Sequence, residues 1–289
     1  MTAPLRVALI HHDNPRQYHR MAGYWSYDVP EFVVHHFGVA GVSERYRRSR
    51  FAGFDCIIWE DHRTKGTWTH DANTPLVYHA VDSTLSPAHL RDRQMHATQA
   101  DLVLVDHDRL GHFPGKVRRL GYCVNDRLFR DYGEEKTVDV AFHCRTKGSP
   151  DRAELRDWLG DYCRAHGYTY AAGDRAWEEY ARAFNRAKIT VNLARTVTNR
   201  PHRVFDAMAC RTCLLTSPLP PVSGEERRAG VHYAEWRDFD DMAARIEGLL
   251  SSGQWRAIAD AGHELVHRAH TWAVRAGELR QILEAEFSL

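Results

Sequence analysis

Residues 189–221, ITVNLARTVTNRPHRVFDAMACRTCLLTSPLPP, constrain the fold more than any other part of the chain. The apolar run ITVNLA fits a buried parallel strand, TVTNRPH reads as a polar loop, RVFDAMAC as a short amphipathic helix, and CLLTS as the next strand. Strand, helix and strand in that order form a βαβ unit. In such units ligands gather beyond the carboxyl ends of the strands, and helix N-terminal amides favour phosphate. Thr198, Asn199, Arg200, His202 and Arg203 fall at that place and are candidate ligand-binding residues.

The same stretch carries a resemblance. An asparagine-bearing strand, a polar loop, RVFDAMAC and then LLTSPLP resemble the C-terminal donor domain of spore-maturation-type glycosyltransferases, relatives of the large retaining GT-B group. The resemblance implies an α/β protein of GT-B architecture, with two Rossmann-like domains facing an interdomain cleft. It also implies transfer of a sugar, hexosyl or related, from a nucleotide-diphosphate donor to an acceptor hydroxyl, with retention and without a metal. In that group a carboxylate in the matching helix holds the ribose of the nucleotide sugar; here the position is Asp206. A second glutamate often stands eight residues earlier, against the donor sugar. This chain has Thr198 there, so that contact does not carry over. Two alternatives therefore stay open: a sugar-nucleotide-binding protein without transfer activity, and a GT-B-fold sugar-nucleotide epimerase.

A chain of 289 residues, 43% of them hydrophobic, exceeds a typical single domain and can bury sizeable cores. Two α/β domains follow, an acceptor-side domain over 1–133 and a nucleotide-sugar donor domain over 134–289. Lys and Arg number 39 against 38 Asp and Glu, so no global charge announces a nucleic-acid or membrane partner. No apolar run approaches the ~20 residues that span a bilayer, and a cytoplasmic protein is expected. The six cysteines sit mostly in apolar patterns, as small buried residues do, and disulfides are not expected. Cys210 and Cys213 form a C-x-x-C without the second pair of a zinc ribbon. The nineteen histidines show no H-E-x-x-H or comparable spacing, so no metal is expected.

At the N-terminus LRVALIHH reads as a first buried strand running into a long polar and aromatic loop. Side chains at a strand's carboxyl end point toward the ligand crevice, which makes His12 and Asp13 candidates for a base or an acceptor-binding group. His79 and Asp82 end a later strand, PLVYHAVDST, in the same way, whereas His89 and His96 belong to the helix SPAHLRDRQMHATQA. The run RYRRSR between two strands carries Arg45, Arg47, Arg48 and Arg50. It reads either as a solvated face or, with Lys116, Arg118 and Arg119, as a phosphate-facing patch. Tyr24, Trp25 and Tyr27 could stack on an exposed base in the second case. DNA bearing a hydroxylated base would use both features, and it is the less favoured alternative to a glycan or small-molecule acceptor. In the donor half, VDVAFHC precedes Arg145, Thr146, Lys147 and a helix that Ser149 can cap and Pro150 can start. The resemblance implies that Arg145 and Lys147 grip the donor diphosphate, where fixed cations would stabilise the charge of the leaving group.

Overall fold

The computed structural model describes residues 3–12, 25, 28–39, 44–60, 66–80, 86–144, 146–175, 177–194 and 203–289, with the backbone alone at His12, Val39, Glu44, Gly66 and Trp177. Two compact units emerge, Met1–Tyr122 with Trp272–Leu289, and Cys123–Thr271.

The first unit contains β1 (Leu5–His12), β2 (Phe32–Val39), β3 (Glu44–Arg47), β4 (Cys56–Glu60), β5 (Gly66–Thr69), β6 (Leu76–Ala80), α1 (Pro87–Ala97), β7 (Leu102–Val105) and β8 (Val117–Arg119). Six strands form one parallel sheet in the order β2-β1-β4-β6-β7-β8, and β3 pairs with β5 in a separate parallel ribbon. In β4, CIIWE, and β6, LVYHA, every residue is buried, as central strands covered on both faces require. Ile10, Trp59 and Tyr78 point into the core on one face, together with Phe51 and Val103. Ser86 caps α1 by accepting from the His89 N–H at 3.2 Å, with Pro87 in the first turn.

The last helix, Trp272–Phe287, completes this unit. Its buried residues Trp272, Ala276, Leu279 and Leu283 recur at helical spacing and make one apolar stripe. The Trp272 ring lies 5.0 Å from that of Trp25 and 6.4 Å from that of Phe32. Arg275 Nε donates to the carbonyl of Gly121 at 3.0 Å. The sequence puts the division after residue 133 and the terminal helices in the second half; the contacts divide the chain after Tyr122 and return residues 272–289 to the first unit. The apolar stripe of the helix is what draws it back.

The second unit runs β9 (Val138–Phe142), α2 (Pro150–His166), β10 (Tyr170–Ala172), α3 (Trp177–Arg186), β11 (Ala187–Asn192), α4 (Arg203–Ala209), β12 (Cys213–Thr216), β13 (Ala234–Glu235), α5 (Phe239–Ser252) and α6 (Trp255–Ala269). Its five parallel strands take the order β10-β9-β11-β12-β13. The βαβ unit expected over 189–221 is β11, α4 and β12. Val140, Phe142, Ile189, Val191 and Leu215 meet Leu155, Leu159, Met242 and Ile246 in one core. Asp238 caps α5 by accepting from the Asp241 N–H at 2.8 Å. Ser149 stands at the N-cap of α2 but makes no cap hydrogen bond, because its hydroxyl donates to the Asp151 carboxylate at 2.7 Å instead. All six cysteines are buried free thiols. Among the described residues no helix is long and apolar enough to cross a membrane.

Candidate functional site

In the second sheet the chain steps from β9 outward to β10, then returns to the other side of β9 with β11. Such a reversal leaves a crevice outside the carboxyl ends of the two middle strands, where ligands bind in open α/β sheets. Polar side chains collect at this point. Asn192, the last residue of β11, lies in register with Thr216, the last of β12, and its Nδ2 donates to the Thr216 hydroxyl at 2.8 Å. Arg203, the first residue of α4, donates from Nη1 to Asn192 Oδ1 at 3.0 Å and from Nε to the Tyr180 hydroxyl at 2.6 Å. That hydroxyl donates in turn to the carbonyl of His143, just past β9, at 2.9 Å. One guanidinium thus ties together the ends of β9 and β11 through α3.

Asp206 follows Arg203 by three residues, one turn along α4. Its side chain is 2% exposed, and Oδ1 has no hydrogen-bond partner among the described residues. Burial pushes its carboxyl well above the ordinary range, and the nearby Arg203 cation pulls the other way. An unpartnered buried carboxylate oxygen is costly unless a ligand supplies donors. Burial, and then the cation of Arg175, lowers His143 to about 4, so its imidazole is neutral at physiological pH.

The first sheet has a matching reversal between β1 and β4, since β2 lies on one side of β1 and β4 on the other. Ile10 and Trp59 are aligned neighbours, and one step further come His11 and Glu60. Glu60 is in register with His79 on β6. Side chains alternate along a strand, so His11, Glu60 and His79 lie on the face opposite Ile10, Trp59 and Tyr78. They are 6%, 2% and 1% exposed. Asp106 and His107, just past β7, are buried at the same end of the sheet. Burial raises the Glu60 carboxyl to about 8.

Of the candidates read from the sequence, Asp206 and Arg203 come together at the second reversal, and His79 lies in the row at the first. Lys147 is exposed in the turn between β9 and α2. Asp13, Asp82, Arg145, Thr198, Asn199, Arg200 and His202 lie outside the described residues, as do Tyr24, Tyr27 and the side chain of His12. The sequence reading missed Tyr180, Asn192 and Glu60 as site residues. The positions of Asn192 and Glu60 at strand ends could have signalled them.

The arginine run does not form one patch. Its residues fall in the strand β3 and in a short 3-10 turn over Arg48–Phe51. Arg48 is 4% exposed and donates to Asp101 Oδ2 at 2.6 Å and to the carbonyl of Gln99 at 3.1 Å. Arg45, Arg47 and Arg50 remain exposed. Lys116 and Arg118 both pair with Glu286, and Arg119 with Asp108 at 3.6 Å. Trp25 is 6% exposed and packs on Trp272, so its ring is part of a core and offers no open stacking face. Among the described residues no group of three or more His, Cys, Asp or Glu side chains could hold a metal ion.

Residues 127–281, more than half of the chain, match the glycosyl transferase-like family, and the protein belongs to it. The matched span covers nearly all of the second unit. Among solved structures, Anabaena Alr3699/HepE in complex with UDP and glucose superposes with a TM-score of 0.64 at 14% identity, over 97% of this chain and 100% of that one. Sucrose-phosphate synthase from Thermosynechococcus elongatus gives 0.63 at 12% identity, over 98% of this chain and 99% of that one. HepE in complex with UDP-glucose gives 0.62 at 13% identity, over 97% and 100%. At these identities the likeness defines the fold, which is the GT-B glycosyltransferase architecture. No curated protein sequence matches the chain.

Proposed function

We propose that the protein transfers a sugar, a hexose or a close relative, from a nucleoside-diphosphate donor held by the second unit to an acceptor hydroxyl. The observation that carries this reading is Asp206, a buried carboxyl group whose Oδ1 meets no donor among the described residues, beside Arg203 at the strand reversal of the family-matched unit. The two hydroxyls of a ribose supply the missing donors, and the HepE complexes with UDP and UDP-glucose support a uridine nucleotide as the first ligand to try. Lys147, together with Arg145, meets the diphosphate; loop residues Thr198, Asn199, Arg200 and His202 contribute to the same nucleotide. As the sugar leaves, negative charge grows on the departing phosphate, and these fixed cations stabilise it without a metal. The resemblance to the retaining GT-B group supports retention of the anomeric configuration. His12, Asp13 and His79 are the candidates on the acceptor side.

The test is titration calorimetry with UDP. Asp206→Ala should keep the fold and weaken UDP binding by about 1.5 to 3 kcal/mol, on the order of ten- to a hundredfold, the scale of a hydrogen bond to a charged group. Unchanged affinity in a folded variant removes Asp206 from the nucleotide site. A second reading rests on Thr198, which stands where related enzymes carry a donor-sugar glutamate: a protein that binds sugar nucleotides without transferring them. Release of UDP from UDP-glucose that depends on an added acceptor separates the two.

A further inference from the structure

Arg203 and Asp206 stand at the spacing of a helical ion pair. Residues three apart on a helix are neighbours, and a guanidinium within reach of a carboxylate closes on it with charge-assisted bonds. The last helix shows that outcome: Arg275 and Glu278, in the same order and at the same spacing, pair at 2.8 Å. On α4 the carboxyl feels the charge of Arg203, yet its Oδ1 meets no donor among the described residues. The fork is engaged elsewhere. Nε donates to the Tyr180 hydroxyl at 2.6 Å and Nη1 to Asn192 Oδ1 at 3.0 Å.

Both of these acceptors are themselves fixed. Tyr180 commits its one proton to the carbonyl of His143 at 2.9 Å, which leaves its oxygen lone pairs for Arg203. Burial pushes the phenol up to about 12, so the hydroxyl keeps that proton at physiological pH. The ring lies 4.4 Å from that of Phe184 and meets Phe129 edge-on at 6.2 Å. Asn192 donates from Nδ2 to the Thr216 hydroxyl, and this bond sets the direction in which its Oδ1 faces.

We propose that Tyr180 is a positioning residue for the nucleotide: together with Asn192 it holds the Arg203 guanidinium off Asp206 and keeps that carboxyl open to the ribose hydroxyls. The inference rests on the nucleotide-sugar reading above and adds the device that protects its ribose contact. A ribose hydroxyl is a neutral donor that must arrive from solution. Arg203 is a charged donor one helical turn away, and charge-assisted hydrogen bonds are roughly twice as strong as neutral ones. Released from its tethers, the guanidinium would take the same carboxyl oxygens first. Loss of the Tyr180 hydroxyl thus harms binding through a bond that Arg203 gains inside the protein, and the Tyr180 side chain need not touch the ligand.

The experiment is calorimetry on the full chain with two probes, UDP and a UDP analogue that lacks both ribose hydroxyls. The wild type should prefer UDP by about tenfold or more. Tyr180→Phe, which keeps the ring and removes one oxygen, should bring that preference down to about one while the analogue binds within about threefold of its wild-type affinity. Tyr180→Phe combined with Arg203→Met, which takes away the competing cation, should restore the preference to within about threefold of the wild type. Circular dichroism establishes folding. Should Tyr180→Phe not fold, Asn192→Ala removes the other acceptor and carries the same comparison, alone and with Arg203→Met. A loss shared equally by UDP and the analogue makes the tether merely structural and overturns the inference. A preference that falls in the single variant and does not return in the double one overturns it as well. If the wild type binds both probes equally, the ribose assignment of Asp206 fails first, and if it binds no UDP the glycosyltransferase reading fails; either result takes the inference with it.

Discussion

Arg203 is the residue on which the polar end of the second sheet turns. Its planar fork reaches Tyr180 with one nitrogen and Asn192 with another, at 2.6 and 3.0 Å, so it fixes α3 and β11 in a single geometry. Lysine keeps the charge but offers a point donor instead of a fork. Arg203→Lys should therefore retain the electrostatic pull on Asp206 yet lose one of the two tethers, lowering stability by about 1 kcal/mol and weakening UDP binding several-fold. Thermal melts with and without UDP read both effects, and a variant equal to wild type in both would make the tethers incidental. Asp206 and Arg203 were legible from the sequence because both lie within one short motif. Glu60 was not. It ends an apolar run, CIIWE, so its place at the strand end was its one signal in the sequence, and only the strand register reveals its neighbours.

At the scale of elements, the strands were the easiest to read, since parallel central strands are near-continuous apolar runs, and the βαβ unit over 189–221 matches β11, α4 and β12. Contacts between distant segments were hidden. Nothing near Arg48 in the chain foretells Asp101, and nothing near Trp25 foretells Trp272. The packing of α6 on α4 is another such contact. A Cβ placed on Gly262 would come within 2.7 Å of the His232 carbonyl and 3.3 Å of the Met208 side chain. Glycine is there because the backbone comes too close for any side chain, while Met208 alone could yield. Gly262→Ala should cost about 1 to 3 kcal/mol, the range for overpacking a tight interface, despite alanine's better helix propensity. Denaturant unfolding measures it, and a stabilised variant would mean that α6 slides freely over α4.

For the whole molecule, pH response follows from groups buried against their preference. Glu60 titrates higher in the folded chain than in the unfolded one, so its contribution to stability is complete below about 4.5 and is lost as pH rises through about 8. His143 titrates lower, so its contribution is present above 6.5 and is lost as pH falls through about 4. Between about 4.5 and 6.5 the two slopes oppose each other; above 6.5 His143 drops out, Asp206 adds to Glu60 in the same direction, and Lys136, which burial lowers to about 8, offsets a small part of the decline. Stability should therefore decline by about 2 kcal/mol or more from pH 6.5 to 8, and Glu60→Gln should remove much of that decline. Melting temperatures across the range check this, and an unchanged slope in the variant would mean that Glu60 is ionised in the native chain.

The second unit begins and ends at neighbouring points. Val124 and Thr271 form a parallel bridge, and the Val124 N–H donates to the His270 carbonyl at 2.8 Å. The second unit is thus spliced into the first like a cassette, its two severance points a single hydrogen bond apart. A gene cut at those two places could trade this module for another while both ends of the host chain stay where they are.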